Sequence, residues 1–392
     1  MARFLFVVPP LVGHVNPAAG VAAELTARGH EVAWAGHEEL LWQLAGPGAL
    51  VFACGLPPGA PARPPGLKGP AALRFLWQDF LVPLADAMAP GVAAAIDAFA
   101  PHVVVADQQA LAGGLLAEAR GLPWVTSATT SAELADPLAG MPKVADWVGS
   151  LLDGLRSRIA GGRGTADPRF SPHGVLAFTT RELLGPAALP PRVHLVGPSL
   201  GSRPSTSDFA WDWLDPLRPT VLVSLGTANT EAGAGFLAAA AKAFARVEAR
   251  AVLVDPGGVL GPVPPNVLVC PRVPQLPLLA RVDAVLCHAG HNTVCEALWH
   301  GLPLVVAPIR DDQPVVAAQV VAAGAGVRLR FGRADADRIA AAVEEVLTEP
   351  SYRRAAETVA ASFRAAGGSG AAAGHLEQLA LESLARLRPG TS

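Results

Sequence analysis

Cysteine, net charge and long apolar runs are all scarce in this chain, and each scarcity removes a class of protein. The four cysteines, Cys54, Cys270, Cys287 and Cys295, form no CxxC pair, so neither a disulfide framework nor a zinc ribbon is written here. Buried apolar thiols in a reduced, cytoplasmic protein fit this usage; the other reading is a zinc site made by two of these cysteines with His288. Charged residues make up only 16% and the formal net charge is -3, without the clustered basic face that nucleic acid requires. No uninterrupted apolar run reaches the about 18 residues needed to span a bilayer, so no membrane span is expected. The first apolar run, residues 4–8, is too short for the core of a signal peptide and reads as a strand. The segment after it, PPLVGHVNP, has no glycine triplet for a dinucleotide turn, which argues against a dehydrogenase.

What is present is a globular α/β chain. At 392 residues with 51% hydrophobic content, two domains are expected. Residues 3–8 read as a strand, 9–16 as a loop, 17–28 as a helix with Pro17 in its first turn, and 31–35 as the next strand. Such β-α-β units impose a right-handed crossover and a parallel sheet. Residues 55–70, rich in proline, read as a loop. The alternation continues with a helical pattern over 73–99, a strand at 102–106, a helix at 111–120 and a strand at 123–126. A helical stripe lies within 132–163 and a last strand at 193–196. Residues 201–208, GSRPSTSD, have linker composition. A second alternating series starts at 220 and runs into a helical tail interrupted at residues 367–370.

The most informative stretch is 272–313. An apolar run at 282–287 is followed by a loop, 288–292, and then a helical pattern through Thr293, Val294, Ala297 and Leu298. A loop between strand and helix aims free N–H groups and the positive helix end at one point, where a diphosphate binds without a basic cluster. His288, Asn292 and Thr293 add side-chain donors. A second strand at 304–307 breaks at Pro308 and delivers Arg310, Asp311, Asp312 and Gln313 to the same carboxyl edge, where ligands collect in open parallel sheets. Carboxylate and amide together match vicinal sugar hydroxyls, each both donor and acceptor. The alternative for Asp311 and Asp312 is a metal-binding pair on the diphosphate, although their spacing is DD and the helix end already balances the charge.

Pro274 and Gln275, His288, Gly290, Asn292 and Thr293, Glu296, Gly301 to Pro303, Pro308, and Asp312 with Gln313 fall in one register over about 40 residues, a much stronger signal than one short motif. In this the chain resembles the family-one glycosyltransferases, which include plant secondary-product and bacterial antibiotic or macrolide transferases. The resemblance implies the GT-B fold: an N-terminal acceptor-binding Rossmann-like domain (1–203), a linker (204–208), a nucleotide-sugar-binding Rossmann-like domain (209–375) and a last helix (376–392) crossing back, with two parallel sheets facing across a cleft. It implies that His288 and Thr293 contact the phosphates with help from Asn292 and Gly290. Glu296 would hold the ribose, Asp312 and Gln313 the transferred sugar, and Arg272, Val273 and Gln275 also belong to the donor site. Ser224 and Thr227 look like the family's turn beneath the phosphates. Arg272 stands where many members carry a stacking Trp, and His291 where Trp or Met is usual. A guanidinium also lies flat on a base, so uracil and thymine both remain open, with Glu296 favouring UDP through the ribose 2′-hydroxyl.

With the donor on the second domain, the base belongs on the first. His14, in GHVNP at the carboxyl edge after strand one, is placed to take a proton from an acceptor hydroxyl. Asp107, ending the strand HVVVA, is placed to orient it; the family's catalytic His and Asp occupy matching motifs. The plainer alternative makes His14 and Asp107 helix caps. Phe75, Trp77 and Trp147 are the candidates for lining an acceptor pocket. The expected activity is a metal-independent glycosyltransferase with no cofactor beyond its UDP- or dTDP-sugar, acting on a hydroxyl of an apolar small-molecule natural product. One base without a carboxylate nucleophile implies inversion. An epimerase on the same architecture and a non-catalytic nucleotide-sugar binder are the rivals; an oriented base is of no use to a binder.

Overall fold

The computed structural model describes residues 1–57, 64, 67, 69–135, 138, 140–186, 188–201, 208–226 and 230–387. Much of the 55–70 loop, the expected linker and Thr227 fall outside the described residues. By internal contacts the chain forms two units. Unit 1 comprises Met1–Phe178, Ala188–Arg203 and Ala366–Ser392; unit 2 comprises Thr179–Ala187 and Pro204–Ala365.

Unit 1 is built on strands β1 (Arg3–Val7), β2 (Glu31–Gly36), β3 (Leu50–Ala53), β4 (Val103–Asp107), β5 (Trp124–Ala128), β6 (Val175–Ala177) and β7 (Val193–Leu195). They pair in the order β3-β2-β1-β4-β5-β6-β7, every pair parallel. Residues such as Phe4, Leu5, Phe6 and Val7 are buried on both sides of the sheet, which is why these strands read as continuous apolar runs. One face packs against the Val12–Ala27 and Gly368–Leu387 helices. The other packs against the Val82–Phe99 and Leu111–Ala119 helices. The last helix is also tied to the first by Glu377, which accepts from Arg28 at 2.8 Å and lies 2.9 Å from His30 Nε2.

Unit 2 repeats the plan with β8 (Thr220–Ser224), β9 (Arg250–Val254), β10 (Val267–Cys270), β11 (Ala284–Cys287), β12 (Leu304–Val306) and β13 (Gly326–Arg328). Their order is β10-β9-β8-β11-β12-β13, again parallel throughout. Both sheets reverse direction of growth next to their first strand, between β1 and β4 and between β8 and β11. Those two reversals are the switch points at which open α/β sheets leave a crevice beyond their carboxyl ends.

One local expectation is corrected. The first helix begins at Val12, not at Pro17, so His14 sits in its first turn and not in a loop. Proline's fixed φ is compatible with a helix, at the loss of the backbone bond that a residue here would donate four positions back, to Gly13. The helical pattern at 73–99 is present, and it resolves into α-helix over Gly69–Arg74, π-helix over Phe75–Leu81 and α-helix over Val82–Phe99. Val82 N–H donates to Trp77 C=O, five residues back. Pro83, which cannot donate and crowds the preceding turn, accounts for the wider coil. The stretch Gly69–Phe99 is long and apolar enough to cross a membrane by composition. Its Leu84, Met88, Val92, Ala95 and Ile96 are packed against β1, β2 and β4, so one face of its second half belongs to the core of unit 1.

Candidate active site

At the switch point of unit 1, β1 and β4 are in register from Phe4 with Val103 to Val7 with Ala106. The chain leaves β1 into the helix that bears His14, and β4 ends on Asp107, so strand order brings together residues 93 positions apart. Nδ1 of His14 lies 2.9 Å from Oδ1 of Asp107, whose side chain is fully buried while His14 keeps 15% exposure. An ionised carboxylate only accepts, so Nδ1 is the protonated nitrogen in this pair and Nε2 carries the lone pair. Gln109 N–H donates to the same carboxylate oxygen at 2.8 Å.

The capping alternatives do not describe these side chains. The helix cap before His14 is Leu11, and that before the Leu111–Ala119 helix is Ala110, neither with a side-chain cap bond. One further group joins the pair. Thr129, just beyond β5, places Oγ1 2.7 Å from His14 Nδ1 and donates to Asp107 Oδ2 at 3.1 Å. Sequence reading missed it because its only mark is a position just after a strand, and the pairing of β5 with β4 is what makes that position matter.

The unit 2 switch point gathers the predicted donor residues. Ser224 ends β8 opposite Cys287, which ends β11, and His288 follows directly. Its ring is wedged between two glycines: a β-carbon on Gly226 would lie 2.7 Å from Cε1, and one on Gly290 2.4 Å from Nε2. Gly226 also has φ +71°, a left-handed conformation that glycine adopts freely. Burial pushes the His288 imidazole down to about 4, against a smaller opposing contribution from the Ser224 backbone, with the Arg310 charge adding to the depression. The residue is therefore neutral near pH 7, and its buried Nδ1 has no hydrogen-bond partner among the described residues.

The helix after it, His291–Trp299, starts on Gly290. Asn292 and Thr293 are thus in the first turn, where backbone N–H groups point out of the helix end. Glu296, one turn later and 1% exposed, accepts at 2.6 Å from Nε2 of Gln275. Gln275 opens the Gln275–Leu279 helix; Arg272, just before it, is exposed, and Val273 packs against the unit 2 core. The loop after β12 is closed by Gln313, whose Oε1 accepts from Ile309 N–H at 2.9 Å and Arg310 N–H at 3.1 Å. That leaves the amide nitrogen of Gln313 as the end with donors to offer. Asp312 is the N-cap residue of the Gln313–Ala322 helix. Asp311 is exposed, has φ +56° and pairs with Arg310 at 3.8 Å. Among the described residues no three or more His, Cys, Asp or Glu side chains gather as a metal site.

Of Phe75, Trp77 and Trp147, the last two share one apolar cluster of unit 1. Trp77 is buried with Leu81, Leu111, Leu115 and Val148, and Trp147 packs on its edge. Phe75 is half-buried two residues before Trp77 on the π-helical turn. The Arg169 guanidinium lies 5.4 Å from the Trp77 ring centre, so Phe75 and Trp147 present more of their surface than Trp77 does.

With the geometry in place, comparison with known proteins assigns the family. Residues 240–379 match the model of the erythromycin biosynthesis protein CIII-like C-terminal domain. Over 90% of its length the chain is 32% identical to 4'-demethylrebeccamycin synthase of Lentzea aerocolonigenes, covering 93% of that protein. It is 29% identical to demethyllactenocin mycarosyltransferase of Streptomyces fradiae, over 97% of this chain and 87% of the relative. Among solved structures it resembles the glycotransferase of kitacinnamycin, with 26% identity, a TM-score of 0.78, and coverage of 96% of this chain and 98% of that one. The chain belongs to the antibiotic-type family-one glycosyltransferases of the GT-B fold. It is a glycosyltransferase.

Proposed function

We propose that this enzyme moves a sugar from a UDP- or dTDP-sugar to a hydroxyl of an apolar small-molecule natural product, with inversion at the anomeric carbon, using His14 as general base. The observation that carries the reading is the 2.9 Å contact between His14 Nδ1 and Asp107 Oδ1, which commits Nε2 to accepting a proton. The acceptor hydroxyl gives its proton to Nε2 as its oxygen bonds to the anomeric carbon. The bond from that carbon to the diphosphate oxygen breaks in the same step, and the electron pair leaves with the nucleoside diphosphate. A single displacement of this kind inverts the centre.

On the donor side, the reading gives the diphosphate to His288, the N–H groups at the start of the His291–Trp299 helix, Ser224, Asn292 and Thr293. Glu296, set by Gln275, takes the ribose, and Asp312 with the Gln313 amide takes the sugar. The helix end supplies what a metal would otherwise supply, so no divalent ion is required. Relatives that are a 4'-demethylrebeccamycin synthase, a demethyllactenocin mycarosyltransferase and a zeaxanthin glucosyltransferase support an apolar acceptor, held against the half-buried Phe75 and Trp147, while the buried Trp77 backs the cluster beneath. Four free cysteines, three of them buried, support a reduced cytoplasmic setting.

Incubation with UDP- and dTDP-sugars and a panel of polycyclic and macrolide alcohols in EDTA, followed by mass spectrometry, tests the proposal. The expected product is the acceptor plus one dehydrated sugar, with the opposite anomeric configuration to the donor. Retention of configuration, or transfer only after a divalent metal is restored, would remove the corresponding part of the mechanism.

A further inference from the structure

We propose that Thr129 is a positioning residue for the transfer step, locking the imidazole of His14 in the tautomer whose Nε2 accepts the proton. The inference rests on the reading of His14 as the base and deepens it. The Thr129 hydroxyl has one hydrogen and two lone pairs. It lies 3.1 Å from Asp107 Oδ2 and 2.7 Å from His14 Nδ1, while Asp107 Oδ1 stands 2.9 Å from the same nitrogen. Only one distribution of protons satisfies all three groups. The hydroxyl gives its hydrogen to Oδ2, and Nδ1–H is shared between Asp107 Oδ1 and the hydroxyl oxygen. In the other tautomer Nδ1 would carry a lone pair facing the carboxylate. Thr129 would then have to turn its hydrogen to the ring and leave Oδ2 without it, at a buried site where such losses are costly.

A single carboxylate oxygen fixes a ring nitrogen at one point and leaves the imidazole free to tilt about that contact. A second acceptor on Nδ1, itself anchored to the other carboxylate oxygen, closes a three-membered network that holds the ring's orientation as well as its tautomer. Thr129 is 4% exposed and follows β5, and Asp107 is in register with Ser127 two residues before it. The sheet therefore fixes the spacing of threonine and carboxylate, and the Val12–Ala27 helix brings the histidine to both.

The test compares Thr129→Val, which keeps the shape and loses the hydroxyl, with Thr129→Ser, which keeps the hydroxyl. Thr129→Val is expected to lower kcat by roughly 3- to 10-fold, the loss of one hydrogen bond. The dissociation constants of UDP and dTDP should stay unchanged, the melting temperature should fall in Thr129→Val because Asp107 Oδ2 loses its buried donor, and Thr129→Ser should restore both kcat and the melting temperature. Nitrogen-15 spectra of the free protein with labelled histidine give a second reading: one Nδ1–H tautomer for His14 in the parent and in Thr129→Ser, and a mixture in Thr129→Val. Thr129→Ala replaces the valine variant if that one does not fold. Wild-type kcat and an unmixed tautomer in Thr129→Val, or equal losses in the valine and serine variants, would overturn the proposal. Full activity in His14→Ala would instead bring down the base assignment itself, and that result is read from a separate variant.

Discussion

Gly290 passes so close to His288 that a β-carbon on it would sit 2.4 Å from Nε2 of the imidazole. Gly290 has an ordinary extended backbone, φ -63° and ψ 133°, so an alanine there meets no conformational penalty and its effect is one of space alone. The ring cannot swing away toward Gly226, where a backbone already closes the other side. Gly290→Ala is therefore expected to displace His288 and weaken UDP or dTDP binding by about 1–3 kcal/mol, the usual cost of overpacking, measured by calorimetry. Unaltered affinity would mean that the position of this ring is immaterial to the donor.

The buried imidazole also predicts a pH dependence. His288 is held down to about 4 from an ordinary value of 6.5, so between those values the unfolded chain binds a proton that the folded chain does not. Stability from this group is fully present above pH 6.5, falls as pH drops toward 4, and levels off below, a change of roughly 3 kcal/mol. Urea midpoints at pH 7 and pH 4.5 should differ less in His288→Asn than in the parent. His102, His194, His300 and His375 are also depressed by burial and give slopes of the same sign, so the comparison between proteins is the informative quantity. A bound diphosphate should raise the His288 value, and nucleotide affinity should then increase as pH falls from 7 to 5.5 in the parent alone.

Gln313 has two ends with different duties. Its oxygen holds the Ile309 and Arg310 N–H groups, and its nitrogen is the part proposed to read the sugar. Alanine would remove both, loosening the loop as well as the contact. Glutamate keeps an acceptor for the loop and deletes the donors. Gln313→Glu is expected to raise KM for the nucleotide sugar at least several-fold while free UDP or dTDP binds as before, and Asp312→Ala should behave in the same direction. Equal loss of free-nucleotide affinity would show that this loop does not divide sugar from nucleotide.

Much of this architecture was legible because parallel strands buried on both faces must be written as apolar runs. HVVVA, TVLVS and the run ending at Cys287 could hardly be anything else, and the donor residues follow such runs at short range. The start of the first helix was not legible, because proline commonly opens helices and Pro17 instead lies one turn inside. The π-helical turn at Phe75–Leu81 was hidden for a related reason: its cause, Pro83, acts on the residues before it. Thr129 was beyond reach altogether. Nothing local distinguishes it from Thr130 beside it, and its contacts depend on β5 lying next to β4, a fact of sheet order and not of spacing.

His14 offers the sharpest test, because it separates base catalysis from mere placement. An aliphatic alcohol holds its proton at pH 7, so its attack on the anomeric carbon needs a base at hand, and such catalysis contributes typically 10²–10⁴-fold. His14→Ala should lose about that much in kcat/KM with an alcohol acceptor while binding UDP or dTDP normally. Asp107→Asn should fall in the same direction, because an amide can donate to Nδ1 and so favour the tautomer that places the proton on Nε2. The double variant should be no slower than His14→Ala alone, since Asp107 acts through the ring it touches at 2.9 Å. The mechanism further predicts that the deficit depends on the acceptor. A phenol acidic enough to be ionised at pH 7 needs no base and should be glycosylated by His14→Ala at close to the parental rate, whereas the loss should grow steadily along a series of less acidic hydroxyls. A deficit of constant size across that series would assign His14 to holding the acceptor and leave proton removal to another group.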